Sequence, residues 1–238
     1  MQITTDGRFI ITGAAGGIAG AVISTFAEAG ARLALVDINH DEITERARAH
    51  DALAIETDLT DPAAVGEMVD DVREAFGRID GLIHTTGGFA MAEAESTDED
   101  LYDTLFDLNV RSLVITAAAV LPVMLDQGRG FIAGFSAAPG WYGSGGAGMT
   151  VYAAAKSAVA AYLRAVGEET ADRGVTTAVV YPMGVVDTEG NRASMPDADR
   201  SAWIDPAQIA RALLFAATSG PRGRLTELPI FPGAVSGR

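Results

Sequence analysis

Cysteine is absent from this 238-residue chain, which excludes disulfides, thiolate nucleophiles and cysteine-ligated metal centres. Histidine is scarce. His40, His50 and His84 are scattered without ligand spacing, so no metal site is expected. Basic residues number 17 against 32 acidic ones, a formal net charge of −15, and that balance argues against a nucleic-acid partner. Each apolar run is read as broken by charge or glycine before it reaches membrane-spanning length, so no membrane partner is expected. The opening residues, MQITTDGRFIITG, read as neither signal nor transit peptide. There is no linker-like stretch, internal repeat or low-complexity tract. These absences describe one soluble domain over residues 1–238, expected in the cytoplasm. The acidic excess reflects missing lysine more than surplus acid. A salt-rich cytosol and a codon bias toward arginine explain it equally well.

Against that scarcity, one lysine is conspicuous. Lys156 is the single lysine of the chain, and it stands four residues after Tyr152. Arginine serves a surface ion pair as well as lysine does. A compact ammonium with three rotatable donors and an environment-sensitive pKa is what only lysine supplies. On a helix, positions i and i+4 share a face, so the spacing sets a cation beside a phenol.

Apolar runs alternate with helical patterns along the whole chain. This predicts an α/β fold: a single-domain, doubly wound parallel sheet of about seven strands with helices on both faces. The expected strands are Arg8–Ile11, Arg32–Val36, Ala52–Glu56, Gly81–His84, Phe131–Phe135, Val175–Tyr181 and Leu225–Ile230. Expected helices include one over Gly17–Glu28, one begun by an Asn39/Glu42 capping box, and one begun by Asp61-Pro62. A long helix is expected from Asp98 to Met124 with Thr97 as its cap. Another carries Tyr152 and Lys156. A last one starts at Asp205-Pro206, with Gln208 at the capping-box position. Residues 185–204 read as an irregular polar stretch.

Thr12-Gly13-Ala14-Ala15-Gly16-Gly17-Ile18 follows the first strand and opens the first helix. Strand, small-residue turn and helix together present backbone N–H groups and the positive helix end to a pyrophosphate. The second strand ends in Asp37, followed by Ile38, at the distance expected of a carboxylate that holds a ribose. An acid there repels a 2′-phosphate, and no basic side chain stands in the turn itself, so NAD(H) is favoured over NADP(H). The dinucleotide half spans about residues 1–125, and the catalytic and substrate-side half about 126–238.

Taken in order, these residues resemble the short-chain dehydrogenase/reductase family over essentially the whole chain. Thr12-Gly13-x-x-x-Gly17-x-Ala19 is similar to its glycine turn, with Ala19 replacing a glycine. The resemblance implies cofactor contacts from Gly13, Ala15, Gly16, Gly17 and Ile18, from Asp58-Leu59, from Thr85, Thr86 and Gly87, and from Pro182, Gly184, Val185 and Thr188. It implies a catalytic set of Tyr152, Lys156 and Asn109, with Asn109 anchoring a water. Tyr152 would act as acid/base, its phenol brought toward neutral pH by the Lys156 cation and the positive nicotinamide ring of NAD. Two departures stand out. The family's N-N-A-G reads His84-Thr85-Thr86-Gly87, and His84 is taken as a packed strand residue. The family's paired serines read Ser136-Ala137, which leaves open whether Ser136 serves or the site works without a serine. Ser144 is the weaker candidate.

Three functions remain open. One is a NAD(H)-dependent oxidoreductase of small carbonyl or alcohol substrates. The second is a dihydropteridine-reductase-like enzyme, because Asn191-Arg192-x-Ser194-Met195-Pro196 with Trp203 and Pro206 resembles that branch's substrate-side segment. The third is a nucleotide-binding sensor that has lost chemistry. The small residues on the Tyr152 helix imply a homodimer or homotetramer.

Overall fold

A computed structural model of the protein describes residue 4 and residues 6–220 and 222–233. The reading of the first thirteen residues as no targeting peptide therefore falls partly outside the described residues. Seven strands form one sheet in the order β3-β2-β1-β4-β5-β6-β7, and every pairing is parallel. The strands are β1 Arg8–Thr12, β2 Arg32–Asp37, β3 Leu53–Glu56, β4 Gly81–His84, β5 Gly130–Phe135, β6 Val175–Pro182 and β7 Glu227–Ile230. Central strands such as β1, β4 and β5 are buried almost throughout, which is why they read as unbroken apolar runs instead of alternating ones.

Nine α-helices connect the described strands: α1 Gly17–Glu28, α2 His40–His50, α3 Pro62–Phe76, α4 Glu99–Phe106, α5 Ser112–Gln127, α6 Ala138–Tyr142, α7 Thr150–Thr170, α8 Glu189–Ser194 and α9 Pro206–Thr218. Val22, Ile23 and Phe26 of α1, Ile43 of α2 and Leu213 of α9 fill the core on one face of the sheet. Val65 and Val72 of α3, Val120 of α5 and Val159 and Leu163 of α7 fill the other. The doubly wound architecture expected from the sequence is thus the one present. The strand order reverses between β1 and β4, and the crevice beyond the carboxyl ends of those strands is where such sheets bind ligands.

Local signals predict most boundaries. Asp61 accepts from Ala63 N at 2.8 Å ahead of Pro62, and Asp205 accepts from Ala207 N at 2.9 Å ahead of Pro206. Asn39 caps α2 by accepting from Glu42 N at 3.2 Å. The reciprocal half of that capping box is missing: Asn39 N donates to Asp37, and Glu42 turns to Arg46.

The long helix differs in two ways from expectation. Its cap is Asp98, which accepts from Leu101 N at 2.8 Å, while Thr97 donates back to Glu93 O. A carboxylate in the extended Ncap position outcompetes the hydroxyl before it. The rod is also interrupted: Asp107–Arg111 form a π-helical turn between α4 and α5. Over Glu99–Gln127 it is nevertheless long and apolar enough, by length and composition, to cross a membrane. This corrects the expectation that every run is broken too soon. Leu113, Ala117, Val120 and Met124 of this segment are buried in the core, as befits a core helix that passes the same test.

Residues 185–204 are more ordered than their polarity suggests. Val186 pairs with Ile204 in a parallel bridge, and Ile204 N donates to Val185 O at 2.8 Å. Within this closed excursion, Thr188 caps α8, and Arg192 grips Asp187 through two bonds of 2.6 and 2.8 Å.

Candidate functional site

The glycine turn between β1 and α1 lies at the sheet's switch point. Gly13 has φ +63°, and a Cβ there would stand 2.6 Å from Thr86 N, so conformation and space both demand glycine. The backbone of the turn is almost fully committed. Ala14 N donates to Val36 O and Gly16 N to Gly13 O, while Ala15 N donates to Asp37 Oδ2 at 3.1 Å. Gly16 is the Ncap of α1 and offers no side-chain cap. The first N–H groups of α1, those of Gly17 and Ile18 among them, therefore lack intrahelical partners, and with the positive helix end they form an anion cradle.

A cavity of about 280 Å³ opens beside this turn. It is lined by Gly13, Gly16, Asp37, Ile38, Asp58, Leu59, Thr85, Thr86 and Gly87 from the expected set. Thr57, Thr60, Leu108 and Ser112 join them. Those four were not singled out in the sequence, and nothing in their local pattern separates them from ordinary loop and helix residues. Ile38 is exposed to 67%, an apolar side chain standing open at the mouth. Asp58 is held by Thr60, whose N–H and hydroxyl lie 2.9 and 2.7 Å away. Those bonds keep its carboxyl below the usual carboxylate range.

Pro182, Gly184, Val185 and Thr188 lie outside that cavity, and of the four Thr188 meets the turn. Thr188 packs directly on Gly17, where a Cβ would meet its side chain at 2.7 Å. Gly184 backs onto Pro232, and Pro182 ends β6 in register with Ile230.

The second cluster gathers around Lys156. Its side chain is 6% exposed, and Nζ donates to Phe135 O at 2.9 Å. Burial lowers its pKa to about 8. Nζ lies 5.8 Å from the centre of the Tyr152 ring and borders Gly87, where a Cβ would stand 3.2 Å from it. Asn109, in the π-helical turn, donates from Nδ2 to Gly88 O at 3.0 Å and Leu105 O at 2.8 Å, and accepts from Gly88 N. Its amide thus pins the strand-end turn that carries Gly87. Tyr152 is half-buried, with Phe89 meeting it edge-on at 4.9 Å. Burial pushes the Tyr152 phenol up to about 12. At that distance from the Lys156 cation, loss of hydration dominates the phenol.

Ser136 is placed differently from a substrate-facing serine. It is 3% exposed, and its hydroxyl donates to Lys156 O at 2.7 Å. The proton is committed to the backbone of α7, and the side chain faces inward. Ala137 follows as the Ncap of α6, a helix the sequence did not reveal.

His84 was read as a packed strand residue, and it is 1% exposed. It is also the centre of a directed chain. Thr86 Oγ1 donates to Thr12 Oγ1 at 3.2 Å, and Thr12 Oγ1 lies 2.9 Å from His84 Nδ1. His84 Nε2 lies 3.1 Å from Ser112 Oγ, which donates to Leu108 O at 2.8 Å. One assignment satisfies every member: Nδ1 accepts, Nε2 carries the proton, and the ring is neutral. Burial, reinforced by the Lys156 charge, lowers the His84 pKa to about 3.

Arg46 was missed altogether. Its i, i+4 pairing with Glu42 was legible in the sequence, but its contact with the glycine turn, described below, was not.

A profile described as short chain dehydrogenase matches residues 8–199. An uncharacterized oxidoreductase of Staphylococcus aureus is 30% identical over 235 residues, covering 98% of this chain and all of that one. Another, from Staphylococcus saprophyticus, is 27% identical over 94% of this chain and 96% of its own. Among solved structures, levodione reductase superposes with a TM-score of 0.87 at 25% identity, covering 97% of each chain. A short-chain type dehydrogenase/reductase from Mycobacterium marinum gives 0.85 at 24% identity, over 96% of this chain and 94% of that one, and shows the shared fold.

Proposed function

Because the chain belongs to the short-chain dehydrogenase family, an oxidoreductase family that binds a nicotinamide cofactor, we propose that it is a NAD(H)-dependent oxidoreductase of a small carbonyl or alcohol substrate. The cofactor, when bound, supplies or accepts the hydride. The residues fit such a group: a cavity lined by Gly13, Gly16, Asp37 and Asp58 opens beside the turn, and the first turn of α1 offers free N–H groups. Gly17 and Ile18 would hold the diphosphate through their N–H groups, with Gly13, Ala15 and Gly16 shaping the turn beside it. Asp37, Ile38, Asp58 and Leu59 would hold the adenosine, and Thr85, Thr86, Gly87, Lys156, Pro182, Gly184, Val185 and Thr188 the nicotinamide end. NAD(H) is preferred over NADP(H) because Asp37 sets a carboxylate where a 2′-phosphate would lie.

The observation that carries the reading is the pairing of Tyr152 with a buried Lys156 at the edge of the same crevice. Tyr152 is the acid/base in this proposal. With its pKa pushed up to about 12, the phenol is protonated at neutral pH and donates to a carbonyl oxygen as reduction proceeds. Lys156 stabilises the phenolate left behind, and Asn109 holds the Gly87–Gly88 turn against the site. Ser136, with its proton committed inward, does not polarise the substrate, so an activated carbonyl is favoured over a simple ketone. The enzyme is read as cytoplasmic. Assembly as a homodimer or homotetramer is part of the same proposal, supported by Ala154 and Ala161 exposed on α7.

Replacing Tyr152 by Phe tests the reading. NADH oxidation with a panel of activated and simple ketones is expected to fall by about 10²–10⁴-fold, with NADH binding retained. Wild type that binds NADPH as tightly as NADH refutes the cofactor assignment, and unchanged turnover in the Phe variant refutes the acid/base. A quinonoid dihydropterin belongs in the panel because no polarising serine faces the site.

A further inference from the structure

Three successive carbonyls of the glycine turn point to one guanidinium. Arg46 of α2 donates from Nη1 to Ala14 O and Gly16 O, each at 2.8 Å, and from Nη2 to Ala15 O at 2.9 Å. Nε donates to Glu42 Oε1 at 2.8 Å, and Nη2 lies 2.7 Å from the same oxygen. A guanidinium has five N–H donors in a fixed planar fork. Three carbonyls and Glu42 Oε1 accept from four of them, and the fifth, on Nη2, lies beside the same carboxylate as an ion pair.

A peptide unit is planar and trans, so its N–H lies opposite its C=O. Holding the carbonyls of residues 14, 15 and 16 toward Arg46 turns the N–H groups of residues 15, 16 and 17 the other way. The first of these reaches Asp37, the second reaches Gly13 O, and the third opens the anion cradle of α1. Without the guanidinium, three carbonyl dipoles would be free to rotate into the space an anionic diphosphate needs. In a chain of net charge −15, the fork also sets a positive charge directly behind that space.

We propose that Arg46, anchored by Glu42, is a positioning residue for the dinucleotide: it fixes the glycine turn so that the Gly17 N–H at the head of α1 faces the diphosphate. The proposal rests on the nucleotide-binding reading above. It also commits four of the five Arg46 donors to the turn and to Glu42, so the cation nearest the turn does not oppose the preference set by Asp37.

The test is direct binding of NADH and of ADP-ribose, followed by fluorescence and calorimetry, to wild type and to Arg46→Ala, Arg46→Lys and Glu42→Gln. Steady-state kinetics and thermal melts run alongside. Arg46→Ala is expected to raise the Kd of both ligands tenfold or more. Arg46→Lys should recover part of that loss, because an ammonium reaches some of the carbonyls without the planar fork. Glu42→Gln should weaken binding about threefold. The kinetic loss should fall on the KM for NADH more than on kcat. A folded Arg46→Ala that binds NADH within twofold of wild type overturns the proposal. So does a variant that loses kcat in proportion to its active fraction at unchanged Kd. Should Arg46→Ala fail to fold, Arg46→Lys and Glu42→Gln decide by the same twofold limit. Wild type that binds neither ligand removes the nucleotide reading itself, and the proposal with it.

Discussion

His84 gives the protein a pH dependence that can be worked from its surroundings. The ring is 1% exposed, both nitrogens are engaged in a single neutral tautomer, and its pKa is about 3 against an ordinary 6.5. The folded state therefore resists a proton that the unfolded chain accepts. For a group whose pKa is depressed by folding, stability is full above the unfolded value and declines as pH falls toward the folded one. Linkage gives a loss of ~2 kcal/mol between pH 7 and pH 5, nearly one proton's worth of slope below pH 6. Other shifted groups do not contribute in that window. The lowered carboxylates Asp6, Asp58, Asp187 and Asp199 titrate below 3.8. Lys156, at about 8, is charged in both states under pH 7. Tyr152 and Tyr181, raised from 10, are neutral in both.

The perturbation is His84→Asn, which keeps a polar partner for Thr12 and restores the residue that the family pattern carries there. Urea unfolding at pH 7, 6 and 5 should show wild type losing ~2 kcal/mol more than the variant, or about 4–8 °C in Tm for a domain of this size. Parallel loss in the two proteins, within about 0.5 kcal/mol, would mean that His84 does not hold out its proton and that the directed chain has been misassigned.

Two further outcomes follow from the geometry. Gly13→Ala combines a φ of +63° with a Cβ 2.6 Å from Thr86 N; the left-handed backbone alone costs about 1–2 kcal/mol. NADH binding should drop at least tenfold, measured by fluorescence, and a variant that binds normally contradicts the placement of the turn. Asp80 is 1% exposed and is met by Arg8 N and Arg78 Nε on Oδ2. Arg129 lies 2.9 Å from Oδ1 as an ion pair without hydrogen-bond alignment. Asp80→Ala leaves those donors unpaired and should destabilise by roughly 3–5 kcal/mol in chemical denaturation, with little change in the Kd for NADH of the folded fraction.

The sequence by itself determined the sheet, its doubly wound class and most helix starts. Those features depend on local causes: unbroken apolar runs where both faces are buried, and Asp-Pro pairs whose carboxylate accepts the next N–H while proline fixes the first φ. The nucleotide turn was legible for the same reason, since a glycine turn between strand and helix needs only its neighbours to form. The pairing of Tyr152 with Lys156 follows from helical spacing alone.

What tertiary structure decided involves groups that meet across long stretches of chain or compete for one partner. Asp98 displaced Thr97 because capping depends on which side chain reaches the N–H, not on which comes first. The π-helical turn that aims Asn109 at Gly88 has no periodic signature. Ser136 looked available until α6 and α7 closed over it and its hydroxyl found Lys156 O. The Tyr152 phenol is raised by its burial, and the degree of burial is set by packing, which the Tyr-x-x-x-Lys spacing does not encode. His84 and Arg46 make the point most plainly. One sits on β4 and binds hydroxyls from β1 and α5. The other, on α2, holds a turn some 30 residues earlier. A residue's hydrogen-bond partners are fixed only when the sheet order brings those elements together, and no local pattern in the chain encodes that meeting.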